Sequence, residues 1–239
     1  MVWVISFAGC TEAQSDKGID ALNCKYYETY DYLYTLCDGE GGGGGSDGGG
    51  ATEAIYLGEP DKPCDGNPLF NLSIASPGSS GIMGGMFGCV RSGSDYRCVD
   101  KDYHGGIDFA CDPGTPVYSI KGGVVNDFVN TYEANQAGDG SSVGDLGNYV
   151  TVRYTNIDGN TTDVTYAHLN FVSSTMEIGD PVNMGDAIGL SGRTGNAVTA
   201  PEAHVHIQIF QDGQRVDPAG YFGATIWPSG EISDPCPSY

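Results

Sequence analysis

A mainly β, antiparallel fold is predicted for this chain by three observations. The 239 residues include 38 glycines and 12 prolines, a turn-rich composition that disfavours a helical protein. From about residue 81 onward, short apolar-alternating stretches follow one another between turn residues, and long helical periodicity is absent. The length suits one domain with appendages, or at most two small domains.

Taken in order, the chain opens on "MVWVISFAGC", which resembles the tail of a bacterial lipoprotein signal and makes Cys10 a candidate lipid anchor. The stretch departs from that pattern in having no Lys or Arg before Lys17 and a very short apolar run. Leu22, Tyr26, Tyr30, Leu33 and Cys37 fall at helical spacing, so a short amphipathic helix is expected within an N-terminal segment, residues 1–38. "GEGGGGGSDGGG", residues 39–50, holds nine glycines in twelve positions and reads as a flexible tether, because it has no apolar residue with which to build a core. A Pro/Gly-rich lead-in covers residues 51–80.

The predicted β domain spans residues 81–223. Its clearest strands are "GGVVNDFVN", "NYVTVRYT", "DVTYAHL", "DAIGLSG" and "HVHIQIF", with "NIDGN" as the hairpin turn between the second and third. Residues 224–239 form a tail that Cys236 is expected to pin back.

Composition excludes some functions. A net charge of −21 with only ten Lys and Arg argues against a nucleic-acid partner, since phosphate binding needs clustered cations. No stretch approaches the roughly 20 apolar residues of a membrane-spanning helix. The eight cysteines contain no Cys-x-x-Cys pair, which disfavours a cysteine-ligated zinc finger or a thioredoxin-like motif. Disulfides are the better reading. They place the chain outside the cytoplasm, in the periplasm, in the cell envelope or secreted, with Cys89 and Cys98 as the clearest pair.

The histidines carry the chemistry. The chain has four, His104, His168, His204 and His206, all within the β domain. In "EAHVHIQIF" strand alternation puts His204, His206 and Gln208 on one face and Val205, Ile207 and Ile209 on the other. In "YHGGIDFA" two glycines permit a tight turn that brings His104 and Asp108 to one centre. His168 ends "DVTYAHL", with Val164 and Tyr166 on its face. Two imidazoles and a carboxylate suit zinc and leave a fourth position for water, and two further histidines can handle protons and an oxyanion.

"HGGID", "YAHL" and "HVH" resemble the His-x-x-x-Asp, Tyr-x-His-Leu and His-x-His motifs of lysostaphin/LytM-type zinc metallopeptidases, which cut peptide bonds in peptidoglycan. "GGMFGCVR", "DPGTPVYSIKGGVV", "GNYVTVRY" and "GDPVNMGDAIGLSGRTGNA" fall in family order around them, so the resemblance covers about residues 81–223. It implies a duplicated-hybrid-motif fold, one Zn2+ per chain held by His104, Asp108 and His206, and His204 and His168 as catalytic histidines that do not ligate the metal. It also implies a peptidoglycan peptide as substrate; a monomer is expected. "EAHVHIQIF" stands where the family usually has a Gly-Pro-His-Leu-His-Phe-Glu type of sequence, and Cys111 replaces a small residue, departures that bear on substrate preference.

Asp112, Asp163, Asp180, Asp186, Asp212 and Asp217 could be imagined as paired glycosidase carboxylates, but their turn-like contexts favour solvated loop positions. Arg193 in "SGRTGN" is either a contact for a substrate carboxylate or a surface turn residue. Two other classes compete with the enzyme: a catalytically silent peptidoglycan-binding or hydrolase-activating module, and a component of a larger surface or phage-like assembly.

Overall fold

A computed structural model describes residues 63–233 apart from 77, 142–143 and 173–175, together with the backbone of four strands nearer the N-terminus. The candidate tether at 39–50, Cys10 and Cys236 lie outside the described residues. The chain divides into two units, 1–61 and 62–239.

In the first unit, β1 (Ile5–Ser6), β2 (Asn23–Thr29), β3 (Tyr32–Asp38) and β4 (Ala54–Tyr56) form one antiparallel sheet in that order. The helix expected within 20–37 is therefore a hairpin, with Cys24 opposite Cys37 and Thr29 opposite Tyr32. The tyrosines and threonines of "NCKYYET" and "YLYTLCD" are strand formers, and their preference overrides the four-residue spacing.

The second unit is antiparallel β, as predicted. Its strands are β5 (Gly88–Arg91), β6 (Asp102–His104), β7 (Ile107–Ala110), β8 (Pro116–Tyr118), β9 (Gly123–Val129), β10 (Asn148–Thr155), β11 (Thr161–Val172), β12 (Pro181–Val182), β13 (Ala187–Ser191), β14 (His204–Gln211), β15 (Gln214–Val216), β16 (Thr225–Ile226) and β17 (Ile232–Ser233). A nine-stranded sheet runs β12-β9-β10-β11-β13-β8, and β14 joins it by pairing with β11, β7 and β15. β5 and β6 make a separate pair, closed off by the Cys89–Cys98 disulfide that the sequence suggested.

β14 shows why the sequence folds this way. Val205, Ile207 and Ile209 are fully buried in the core with Ile107, Phe109, Val150 and Val164. Each such side chain contributes about 1.5–3 kcal/mol, which fixes the register and forces His204, His206 and Gln208 to the opposite face. Leu69 and Ile74 from the lead-in, and Phe222 and Ile226 beyond the last long strand, close the same core.

β11 does not end at His168 but continues to Val172. Up to Ala167 it pairs with β14, and from Leu169 it pairs with β13. On its other edge, Val150 lies opposite Tyr166 but Asn148 lies opposite Leu169, which leaves one extra residue in β11, a β-bulge. Thr194 clamps this irregularity: its hydroxyl donates to the Leu169 carbonyl at 2.8 Å and accepts from the Asn148 N–H at 2.9 Å.

Tyr166 of the "YAHL" stretch is fully buried, and its hydroxyl accepts the Ile120 N–H at 2.7 Å. Tyr166→Phe leaves that donor buried without an acceptor. It is expected to cost about 1–3 kcal/mol in urea unfolding while leaving metal content unchanged; an unfolding midpoint equal to wild type would contradict the accounting.

Candidate metal and catalytic site

Three strands deliver the metal-type donors. Asp108 on β7 lies directly opposite His206 on β14, so both side chains leave the sheet on one face, and His104 ends β6 just before the turn into β7. His104 Nε2, Asp108 Oδ1 and His206 Nδ1 form a triangle with sides of 3.2, 2.8 and 3.0 Å. All three residues are buried.

The two glycines of the motif act by allowing close approach, since neither adopts a left-handed φ. A Cβ on Gly106 would come within 2.8 Å of His206 Nε2, and one on Gly105 would collide with the Arg215 guanidinium. The turn passes so close to both side chains that it has no room for its own.

Hydrogen bonds to carbonyls set which ring nitrogen faces the site. His104 Nδ1 donates to the Met86 carbonyl at 2.8 Å, leaving Nε2 unprotonated toward the triangle. His168 Nδ1 donates to the Thr194 carbonyl at 3.0 Å, and His204 Nδ1 to the Glu202 carbonyl at 3.2 Å. The ring of His168 lies 5.0 Å from that of His204 and 5.7 Å from that of His206.

His168 reaches this cluster against simple alternation. Counting along the strand places it with Val164 and Tyr166 on the core face, which is corrected here: His168 has φ +65°, the left-handed region, and the bulge turns its side chain to the face of Ala167 and His206. A non-glycine residue held there costs of order 1–3 kcal/mol and persists only where its surroundings impose it.

Burial would raise the pKa of the Asp108 carboxyl, but the imidazoles of His104 and His204 and the hydrogen bonds around it hold it well below the usual carboxylate range. Burial lowers the His206 pKa to about 4 and pushes that of His168 well down, so both rings are neutral at pH 7. Asp108 and His206 therefore present a carboxylate and an uncharged imidazole, the protonation pattern of metal ligands.

Donors held by zinc at 2.0–2.2 Å in a tetrahedron lie roughly 3.3 Å apart, close to the separations seen here. Two imidazoles and a carboxylate also suit that ion chemically. The residues present fit the metal.

The site faces a cleft of about 540 Å³ lined by all five residues, with Tyr103, Glu202, Gln208, Arg91 and Arg215 among its other walls. Arg91 belongs to a stretch the sequence singled out, but its role was not legible there: it donates to Asp108 Oδ2 at 2.5 Å and to the Gly84 carbonyl at 2.9 Å. Asp108 thus turns one oxygen to the imidazoles and the other to a guanidinium. Glu202 accepts the Ser76 N–H.

Arg193 resolves as a turn residue, with its donors on the Ala200 and Pro201 carbonyls. Asp180, Asp186, Asp212 and Asp217 accept backbone N–H groups in turns, and Asp163, on a strand, pairs with Arg153. None of the six aspartates set aside above lines the cleft. Cys111 is a free thiol whose pKa is raised by burial.

Three convergent metal-type donors and two further imidazoles over one cleft define a candidate metallohydrolase site on an antiparallel sheet. Residues 102–218 match the family model of Peptidase family M23. The peptidoglycan DD-endopeptidase ShyA of Vibrio cholerae is 38% identical over 114 residues, covering 48% of this chain and 22% of that protein. The DD-carboxypeptidase/endopeptidase Mpg of Neisseria gonorrhoeae is 33% identical over 115 residues, with 48% and 22% covered. The chain thus spans under a quarter of the length of these relatives. Among solved structures, the catalytic domain of the antimicrobial peptidase lysostaphin from Staphylococcus simulans is 26% identical, covering 57% of this chain and 87% of that one, with a TM-score of 0.41.

Proposed function

We propose that this protein is a zinc-dependent endopeptidase that hydrolyses amide bonds in the cross-bridges or stem peptides of peptidoglycan. The observation that carries the reading is the convergence of His104 Nε2, Asp108 Oδ1 and His206 Nδ1, with His204 and His168 beside them in the same cleft. His104, Asp108 and His206 would hold the ion. Bound zinc supplies a Lewis acid that polarises a carbonyl and brings a water's pKa to near neutrality.

His204 is the general base. With its Nδ1–H on the Glu202 carbonyl, its Nε2 lone pair faces the cleft, 3.8 Å from Asp108 Oδ2, where it can take a proton from water and return it to the leaving amine. His168 borders the same volume; its neutral ring, with Nδ1–H kept on the Thr194 carbonyl, takes up a solvent proton on Nε2 as negative charge develops beside it and so stabilises the oxyanion. Arg91 holds the second oxygen of Asp108 and so orients it.

The Cys89–Cys98 disulfide fits an oxidising compartment, and the peptidoglycan-directed relatives fit action outside the cytoplasm. Among the described residues no helix is long and apolar enough to cross a membrane.

The test is hydrolysis of purified peptidoglycan by zinc-loaded protein, following newly freed amino groups and reducing ends separately. New amino groups that vanish with chelator and return with zinc, without new reducing ends, are expected. No release from several wall types by folded protein containing stoichiometric zinc would replace this reading with that of a binding module.

A further inference from the structure

In an acidic chain with only ten Lys and Arg, two guanidiniums line the cleft. Arg91 is committed to Asp108 and Gly84. Arg215 is not: none of the ion pairs among the described residues includes it. It stands on β15 opposite Phe210 of β14, with its guanidinium carbon 4.9 Å from the Phe210 ring centroid. Nη1 rests on Gly105, the residue that follows His104, so closely that a Cβ there would lie 1.9 Å away. Its ionisable neighbours are Tyr103 and Arg97, and Arg97 is itself held by Asp95.

This arginine is thus seated on the backbone of the metal-type motif, with its forked donors unanswered by any carboxylate. Arg215 is an exposed residue whose planar guanidinium rests on an aromatic ring and a glycine, and such a fork can make two parallel hydrogen bonds to a carboxylate. The carboxylates that line the cleft, Asp108, Asp145 and Glu202, form no ion pair with it among the described residues, so its donors are open to a group that enters.

We propose that Arg215 anchors a free carboxylate of the substrate flanking the scissile amide, so that the protein acts on peptides bearing such a carboxylate in preference to uncharged bridge peptides. The inference rests on the peptidase reading above and names the substrate class of that site.

The probe pair is diacetyl-Lys-D-Ala-D-Ala as free acid and as C-terminal amide. Binding to the zinc-loaded full chain is measured by titration calorimetry, and hydrolysis by release of the terminal residue. The acid is expected to bind about ten- to a hundredfold tighter than the amide, the scale of a charge-assisted bidentate contact. In Arg215→Gln that ratio falls to near one, and in Arg215→Lys it is partly restored, with zinc content unchanged in both.

An Arg215→Gln protein that keeps the wild-type ratio overturns the proposal, as does a wild type that binds acid and amide alike or neither. Acid-selective, Arg215-dependent binding without hydrolysis of this probe or of peptidoglycan retains the anchor and removes the peptidase. Hydrolysis without acid selectivity does the reverse.

Discussion

His206→Ala is expected to lose zinc and turnover together. His206 Nδ1 is 2.8 Å from Asp108 Oδ1 and 3.0 Å from His104 Nε2, so its removal takes one of three donors from the triangle and leaves two. Disturbing a group that merely supports a ligand already costs about 10–100-fold in metal affinity or activity. Loss of the ligand itself should exceed about a thousandfold in affinity, with amino-group release from peptidoglycan falling to background. The protein should still fold, because the core face of β14 is untouched and Arg91 still compensates the buried Asp108 carboxylate. Equilibrium dialysis with metal analysis, beside near-ultraviolet circular dichroism, separates these effects. Near-stoichiometric zinc in a folded His206→Ala protein would sink the ligand assignment.

Much of this site was legible because β-strands have a period of two. Once Val205, Ile207 and Ile209 are read as core, His204 and His206 must share the other face, and the structure buries all five residues accordingly. The pairing of Asp108 with His206 across β7 and β14 is long-range, so the motif resemblance rather than local pattern brought those residues together. Alternation misplaced His168, because a bulge adds a residue without leaving a mark in composition, and a histidine does not announce a positive φ. Arg215 was invisible for a related reason: its position depends on a hairpin register and on contact with Gly105, neither of which a linear reading supplies. At residues 20–37, a spacing that matched one helical face coincided with residues that prefer strands, and the preference won.

The bulge makes His168 and His204 separable by experiment. His204→Ala should keep zinc and lose about 10²–10⁴-fold in turnover, the usual worth of a positioned acid–base group. His168→Ala should also keep zinc and lose turnover, but its effect on stability differs, since alanine at φ +65° retains the backbone cost without the Nδ1 hydrogen bond to Thr194. His168→Gly accepts that φ freely, so its thermal midpoint should lie above that of His168→Ala while its activity is equally low. Stability would then differ between the two variants while catalysis does not, as expected if the strained backbone is kept to aim an imidazole into the cleft. The double variant decides whether the two rings act as one unit: losses no larger than the worse single variant mean a shared proton path, whereas multiplied losses mean independent roles. Wild-type turnover in His204→Ala would refute its assignment as base. A His168→Gly protein less stable than His168→Ala would show that the bulge owes its shape to the side chain and not to the backbone around Thr194.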